Sequence, residues 1–376
     1  MTNPLLAGIR ILDLSRLLPG PFCTLYLAQL GADVIKIEEP NGGDYTRSLS
    51  PELFAQVNRG KKSVTLDLRK AEDVQLFHRM VEQSDVVLES FRPGVMDKLG
   101  CGYEALKALN PRLVYAALTG YGQSGPYRDR PGHDMNYCGY AGVLDQTGLA
   151  DGAPVPSNFQ IADLAGGALT CAIGILAAVI GAKASGQGSM VDVGMMDGTL
   201  ALQVVSLATI RTLGKAAPRG QDMLSGGLPN YAIYECADGK HLALGSLESK
   251  FFHRACILAG RPDLLKKPLA PGKAGEGMRQ ELVALFKSKT RDEWDALLAN
   301  EDSCASGILS PDEVLRNEQV QARGLVETVG GKPAYAMPIQ FSTPRLAVGE
   351  SPALGAHNEQ VLAEFGLSRG KPDAAA

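Results

Sequence analysis

Three side chains that can take up or release a proton stand out by their context. His133 is one of five histidines in 376 residues and precedes an aspartate in the loop RPGHDMNY. Asp163 opens the apolar run DLAGGALTCAIGILAAV, and Glu248 lies in GSLESKFF before an expected helix. A histidine and a carboxylate can exchange general acid and base roles near neutral pH. Each also has a simpler explanation: His133 as a polar loop residue, Asp163 and Glu248 as helix N-caps.

The elements that must position these residues begin in the first third of the chain. Runs rich in β-branched and apolar residues alternate there with segments of helical periodicity, which predicts a parallel sheet with right-handed crossovers. The runs are IRILDL, DVIKIE, SVTLDL, DVVLES and LVYAALTGYG. Open α/β sheets bind ligands beyond the carboxyl ends of their strands. The loops PNGGD, SFRPG and TGYGQSG follow at that edge.

The pattern of predicted strands and helices changes near residue 225, which indicates a second domain. YAIYECADGKHLALGS predicts two strands joined by the turn ADGK, and helical segments MRQELVALFKSK and RDEWDALLAN follow. The expected organisation is a large domain that begins with residues 1–200, a linker over 201–224 and a small α+β domain over 225–325. Residues 326–376 are expected to return and complete the large domain, with HNEQVLAEFGL as a short helix on it.

Composition narrows the function classes. The net charge of −4 lacks the basic excess of a nucleic-acid binder, so an anionic ligand must meet a local cluster of cations. Seven scattered cysteines without a Cys-x-x-Cys pair argue against a disulfide framework or zinc site and favour a reducing cytoplasm. The start of the chain lacks the features of a signal peptide, and GGALTCAIGILAAVIGAKA is interpreted as a buried helix. We expect a cytoplasmic protein without a membrane partner.

Two common enzyme signatures are missing where they would be needed. LSRLLPGPF, rather than a Gly-x-Gly-x-x-Gly sequence, follows the first strand, and the Gly-x-Gly at residues 186–188 follows a helix. A dinucleotide-binding fold therefore has weak support. GQSGP has the wrong spacing for a Gly-x-Ser-x-Gly elbow, so a hydrolase has weak support as well.

A series of motifs, in chain order, resembles the family III CoA-transferase superfamily. The motifs are GADVIKIEEP, NRGKKSVTLDL, VLESFRPGVMDKLG, LTGYGQSGP, GHDMNY, DLAGG, GQGSMVDVGMMDG and PNYAIYECADGKHLALGSLESKFF. The resemblance runs from about Leu6 to about residue 345, which is nearly the whole chain. GHDMNY and GSLESKFF are similar to its isomerase branch, the alpha-methylacyl-CoA racemases. The resemblance implies an interlocked homodimer with a Rossmann-like large domain, a smaller α+β domain and an acyl-CoA substrate.

The resemblance also implies roles for individual residues. In racemases of this kind the residues that match His133 and Asp163 are the acid/base pair, and the match of Glu248 orients the histidine. Leu66 and Glu89 match positions that line the nucleotide part of the CoA site. Neither a metal ion nor a nicotinamide cofactor is implied.

Cations for the CoA phosphates are expected in the same region. Arg92 of SFRPG, Lys98 and the pair Lys61–Lys62 supply a local positive cluster. The lysine pair fits a solvated turn equally well, and that alternative stays open.

The residue chemistry agrees with proton transfer at carbon. Inverting a centre α to a thioester needs a base on one face and an acid on the other, and the enolate between them needs hydrogen-bond donors. Backbone amides at the start of the Asp163 helix are expected to be those donors, with the small residues of AGG letting the backbone approach the substrate. Ser225 and the segment around Cys304 depart from the racemase pattern, which affects the expected acyl-chain specificity rather than the proton chemistry.

Two other functions remain open. A family III CoA-transferase would use Asp163 as the nucleophile that forms an acyl anhydride, and such transferases generally lack the histidine. A catalytically silent CoA-thioester binding protein would tolerate the loss of His133.

Overall fold

A parallel β-sheet forms the centre of the fold. In the computed structural model, which describes residues 4–369, six strands pair in the order β3-β2-β1-β4-β5-β6. They are β1 (Arg10–Asp13), β2 (Asp33–Glu38), β3 (Lys62–Thr65), β4 (Val86–Glu89), β5 (Val114–Thr119) and β6 (Ser189–Gly194). Every neighbouring pair is parallel. The predicted parallel α/β sheet is confirmed, and the strands expected from the first third of the chain are β1 to β5.

The sequence does not predict strand β6. This edge strand pairs with β5 on one side, and only its last two residues, Val193 and Gly194, are buried. All six residues of β5 are buried, which produces the continuous apolar run that marks an inner strand. A half-exposed edge strand lacks that signal.

Helices account for most of the remaining regular structure. In chain order the α-helices are α1 (Pro19–Gln29), α2 (Thr46–Leu49), α3 (Pro51–Asn58), α4 (Ala71–Val81), α5 (Val95–Lys98), α6 (Tyr103–Leu109), α7 (Asp134–Tyr140), α8 (Val143–Gln146), α9 (Thr170–Ser185), α10 (Met195–Ala201), α11 (Val204–Leu213), α12 (Ser249–Leu258), α13 (Glu276–Phe286), α14 (Arg291–Leu298), α15 (Pro311–Val314), α16 (Glu318–Ala322) and α17 (Asn358–Glu364). Two π-helices, Ala162–Leu169 and Met223–Gly227, and two 3₁₀ turns, Pro262–Lys266 and Gly272–Gly275, complete the helices of the described chain.

The described part of the chain divides into two compact units. The first takes in residues up to Gly142, Ser157–Leu202 and the chain from Gly324 onward. Phe77 of α4, Leu106 of α6 and Val361 of α17 have no solvent exposure in its core. Because α17 lies in that core and beside β3, the terminal helix packs on the first unit. A hairpin of β10 (Val326–Val329) and β11 (Lys332–Tyr335) also belongs to this unit.

The second unit comprises Val143–Pro156 and Gln203–Arg323. Its antiparallel sheet pairs β7 (Tyr231–Glu235) with β8 (His241–Gly245) and β8 with β9 (Ala305–Gly307). The indole of Trp294 is fully buried in its core, and its Nε1 donates to the Phe286 carbonyl oxygen at 2.9 Å. The predicted hairpin with the turn ADGK is confirmed.

The apolar helix that was expected to be buried is largely exposed. Among the described residues, Ala162–Ser185 is the one helix long and apolar enough to cross a membrane, by length and composition only, and 39% of its most apolar window is buried. Ile173 and Ile180 expose 68% and 69% of their surface. The expectation of a buried helix is therefore wrong, because one face of this helix packs on the sheet and the other faces solvent.

Candidate active site

The crevice expected of an open α/β sheet lies at the carboxyl ends of β1 and β4, where the strand order reverses. Arg16 follows β1, and its backbone N–H donates to Ser90 Oγ at 3.1 Å. Its guanidinium lies over the rings of Phe91 and Tyr45, with 4.9 and 5.1 Å to the ring centroids. A cation held beside aromatic rings suits a ligand that carries phosphates. Sequence reasoning missed Arg16, although its place directly after the first strand could have indicated it.

Lys61 does not contribute to a phosphate-binding cluster. Its buried ammonium lies 3.1 Å from Asp13 Oδ2 and donates to the Pro21 carbonyl oxygen at 2.9 Å. Burial lowers the pKa of Lys61 to about 8, against the opposing charge of Asp13. Burial alone would raise the pKa of Asp13, but the charges of Lys61 and Lys36 lower it to about 2. Both expectations for Lys61, the phosphate cluster and the solvated turn, are wrong because a buried ion pair holds its charge.

Lys62 is not brought together with the other predicted CoA-binding residues. It begins β3 and therefore lies at the amino edge of the sheet, opposite the carboxyl ends of the strands. Its ammonium lies 2.9 Å from Asp33 Oδ1 and 2.8 Å from Glu364 Oε2. Two carboxylates of the chain thus neutralise the charge that was expected to meet a phosphate.

The remaining predicted CoA-binding residues do follow strands at the carboxyl edge. Leu66 comes directly after β3 and is buried in the hydrophobic core. Glu89 ends β4, is buried, and accepts a hydrogen bond from Phe91 N at 2.7 Å. Burial raises the pKa of Glu89 to about 8, and the charge of Asp97 acts in the same direction. Arg92 and Lys98 are exposed, Arg92 in the loop after β4 and Lys98 at the end of α5.

His133 stands exposed at the end of a loop that its neighbours fix in place. Its backbone N–H donates to Asn136 Oδ1 at 3.0 Å, which starts α7. The buried Tyr137 donates its hydroxyl to the carbonyl oxygen of Gly132, the residue before His133. The ring of Tyr137 meets that of Tyr121 edge-on with centroids 5.1 Å apart. These contacts of Asn136 and Tyr137 hold the backbone around His133 in place.

Asp163 lies in the first turn of the π-helix and is not its N-cap. The backbone N–H groups of Ala162 and Asp163 both donate to Asp134 Oδ1, at 2.7 and 3.1 Å. The predicted capping role of Asp163 is thus wrong, because the carboxylate of Asp134 performs it. The expectation that amides at this helix start stabilise an enolate is wrong for these two amides for the same reason.

The glycines of AGG serve helix packing. A Cβ at Gly166 would lie 2.3 Å from Thr199 Oγ1 and 2.8 Å from the carbonyl oxygen of Met195 in α10. A Cβ at Gly198 of α10 would lie 1.9 Å from the carbonyl oxygen of Gly166. The expected close approach of this backbone is therefore to a neighbouring helix.

The environment of Asp163 brings its titration close to neutral pH. Burial raises the pKa of Asp163 to about 7, and the charge of Asp134 acts in the same direction. The half-buried carboxyl group also interacts with Tyr137, whose pKa rises through burial and through the charge of Asp163, while Arg92 opposes the rise. A carboxyl group with this pKa is present in both protonation states at pH 7, so it can act as either an acid or a base.

Glu248 belongs to the second unit. It is exposed and occupies the N-cap position of α12, but within residues 4–369 its side chain makes no capping hydrogen bond. The structure thus gives no support to the helix-cap explanation. The predicted pairing with His133 stays a prediction.

Comparison with known proteins relates the whole chain to one family. The sequence profile of CoA-transferase family III matches residues 6–358. Human alpha-methylacyl-CoA racemase is 37% identical over 371 residues, which cover 97% of this chain and 94% of that protein. Succinate–glutarate CoA-transferase of Agrobacterium fabrum is 36% identical over 391 residues, covering 96% of each chain.

A solved structure agrees with this relationship. The crystal structure of a CAIB/BAIF family protein from Brucella suis superimposes with a TM-score of 0.86 at 32% identity, covering 97% of this chain and all of that one. The relatives include a racemase and a CoA-transferase at almost equal identity. The reaction type therefore has to be argued from the site.

Proposed function

The chain belongs to CoA-transferase family III, and on that premise we propose that it interconverts (2R)- and (2S)-2-methylacyl-CoA thioesters. One group removes the proton from the carbon next to the thioester carbonyl, which leaves an enolate. A second group returns a proton to the opposite face. The net reaction consumes no proton and no electrons, and we propose that it needs neither a metal ion nor a nicotinamide cofactor.

His133 and Asp163 are the proposed pair. The observation that carries the assignment is the hydrogen-bonded connection between their two segments: Asp134, which follows His133, accepts from the backbone of Asp163. Asp163 also meets the chemical demand of a reversible reaction, since its pKa of about 7 lets it take a proton in one direction and give one in the other.

A CoA-transferase is the second candidate, with Asp163 as the nucleophile. The identity with the Agrobacterium fabrum transferase favours it. An anhydride-forming nucleophile must be ionised, and a pKa raised to about 7 keeps part of Asp163 neutral at pH 7. That scheme also leaves His133 without a role, so the racemase is the better supported of the two.

Cations at the carboxyl edge of the sheet are proposed to hold the CoA phosphates. Arg92 and Lys98 were expected from the sequence, and Arg16 joins them through its place after β1. Leu66 and Glu89 are proposed to line the nucleotide part of the same site.

We propose that the protein works in the cytoplasm as an interlocked homodimer and that Glu248 of the small domain orients His133. Exposed apolar helix faces support a second copy of the chain as the partner. Helix α11 has no buried residue, and Val204, Leu207 and Leu213 are all more than half exposed. Ile173 and Ile180 form a similar face on α9. Monomeric soluble proteins rarely leave large contiguous apolar patches in water.

The reaction type is tested by proton NMR of an enantiopure 2-methylacyl-CoA in D₂O, with and without an added carboxylate such as succinate. We expect the α-proton signal to disappear as the opposite enantiomer forms, at a rate that succinate does not change. Formation of succinyl-CoA without α-proton exchange would establish the transferase instead. Tight thioester binding with neither reaction would indicate a silent binding protein.

A further inference from the structure

Asp134 links the two segments that carry the proposed acid/base pair. It follows His133 and is the first residue of α7. Its Oδ1 accepts hydrogen bonds from the backbone N–H groups of Ala162 at 2.7 Å and Asp163 at 3.1 Å. Its Oδ2 lies 3.7 Å from Cys138 Sγ one turn along α7. One half-buried carboxylate therefore joins the start of α7 to the start of the π-helix.

These hydrogen bonds supply what the π-helix lacks locally. Within the described chain, its N-cap residue, Ile161, makes no side-chain capping hydrogen bond. The first N–H groups of a helix carry partial positive charge, and a carboxylate that accepts from them makes strong, charge-assisted bonds. Because the acceptor comes from the residue after His133, a shift of either segment relative to the other would break these bonds.

Asp134 also places a negative charge beside the Asp163 carboxyl group. The titratable groups on elements packed against the π-helix are Asp134, Tyr137, Cys138 and Tyr140 on α7, Cys23 and Tyr26 on α1, Cys171 and Lys183 on α9, Tyr115 on β5, Asp192 on β6 and Asp197 on α10. Of these described residues, Asp134 is the charged one that acts on Asp163. Its charge adds to burial, and both favour the protonated form of Asp163.

We propose that Asp134 is a positioning residue that fixes Asp163 relative to His133 and places its own negative charge beside the Asp163 carboxyl group. The inference rests on the proposed racemase function for its catalytic consequence. In each turnover one base takes the α-proton of the substrate and the other gives its own proton to the opposite face, so a carboxyl group that was fully ionised would be a poor acid in one of the two directions. Asp134 favours the protonated form of Asp163 through its charge and so supports the acid role.

Asp134→Asn separates the two roles. An asparagine keeps the side-chain oxygen that accepts from Ala162 and Asp163 and removes the charge. The limb of the pH profile for α-proton exchange that reports Asp163 should move to lower pH, by about one pH unit for the loss of a like charge beside a half-buried carboxyl group. Asp134→Ala should shift the limb in the same way and also weaken the helix start, seen as faster amide hydrogen exchange at residues 162 and 163.

Asp129→Asn is the matched control. Asp129 lies four residues before His133 in the same loop, its side chain is 77% exposed, and it pairs with Arg128 at 3.4 Å. Removal of this charge should leave the pH profile where it is in the wild type. A shift equal to that of Asp134→Asn would mean that the profile responds to the general charge of the loop and would overturn the proposal.

A second readout does not depend on turnover. The ¹³C carboxyl signal of Asp163, assigned through its loss in Asp163→Asn, can be titrated in the wild type and in Asp134→Asn. A lower pKa of Asp163 in the variant supports the inference even if the wild type catalyses no α-proton exchange, in which case the proposed function alone has failed. An unchanged pKa of Asp163 overturns the inference even if the wild type is an active racemase.

Discussion

Gly166 shows how closely the helix that carries Asp163 must pack. A Cβ at this position would lie 2.3 Å from Thr199 Oγ1, 2.7 Å from Thr199 N and 2.8 Å from the Met195 carbonyl oxygen. Two of these three atoms belong to the backbone of α10 and cannot turn aside. Gly166→Ala must therefore push the π-helix away from α10. Overpacking of this kind costs about 1–3 kcal/mol of stability, and a displacement of about 1 Å at a catalytic group can cost about 10²-fold in rate.

Gly181→Ala provides the matched control. Gly181 lies in α9, which continues the same helix, and a Cβ there would meet no atom within 4 Å. Alanine inside a helix is more favourable than glycine by about 1 kcal/mol. We expect Gly181→Ala to be at least as stable as the wild type with the same turnover. Gly166→Ala should be less stable and about 10²-fold slower, with nearly unchanged CoA affinity.

Urea unfolding followed by circular dichroism measures the stability of both variants, and NMR in D₂O measures α-proton exchange. If Gly166→Ala matches the wild type in both the free energy of unfolding and turnover, the reasoning about this contact is refuted. A loss of stability without a loss of turnover would show that the packing supports the fold and does not position Asp163.

Three further predictions concern the carboxyl groups of Asp163, Glu248 and Asp13. Asp163 has a folded-state pKa of about 7 against an ordinary value of 3.8, so its ionisation opposes folding and wild-type stability falls as pH rises between those values. Asp163→Asn should therefore lose racemisation and yet resist urea better than the wild type at pH 8, and a less stable variant there would contradict the raised pKa. Glu248→Gln should reduce turnover with no loss of melting temperature, since no capping bond is removed; lower stability with unchanged turnover would make Glu248 structural. Asp13 has a depressed pKa of about 2, so the stability it provides is present above pH 3.8 and lost as pH falls toward 2. Asp13→Asn should cost about 3–5 kcal/mol at pH 7 in urea unfolding, because Lys61 is left as an unpaired buried charge; a neutral result would show that Lys61 sheds its proton instead.

Much of the fold follows from periodicity. Strands β1 to β5 are short apolar runs with helical segments between them, and that alternation predicts their parallel pairing but not their order in the sheet. Strand β6 could not be predicted in this way, because an edge strand is only partly buried and therefore lacks a continuous apolar run. The exposure of one face of α9 could not be predicted either, because the sequence does not show whether an apolar residue such as Ile173 is covered by other parts of the chain.

The residue types of the candidate site could be predicted from the sequence, but the contacts that these residues make could not. His133 and Asp163 stand out through loop context and family resemblance, yet the residue that fixes Asp163 is Asp134, which lies 29 positions away along the chain. Hydrogen bonds between segments so far apart leave no local pattern. The phosphate-binding role predicted for Lys61 and Lys62 is not supported, for a similar reason. Whether a lysine meets a ligand or a carboxylate of its own chain depends on partners such as Asp13 and Glu364, which only the fold brings near.

The central claim is that two groups act on the α-carbon from opposite faces. It is tested most directly by measuring α-proton exchange in D₂O for each pure enantiomer of a 2-methylacyl-CoA with His133→Ala and with Asp163→Asn. Each variant should fail to invert either enantiomer and should still exchange the α-proton of the one that faces its remaining base. The preferred enantiomer should be opposite in the two variants. Inversion at the wild-type rate in either variant, or exchange of the same enantiomer by both, would contradict the two-base account.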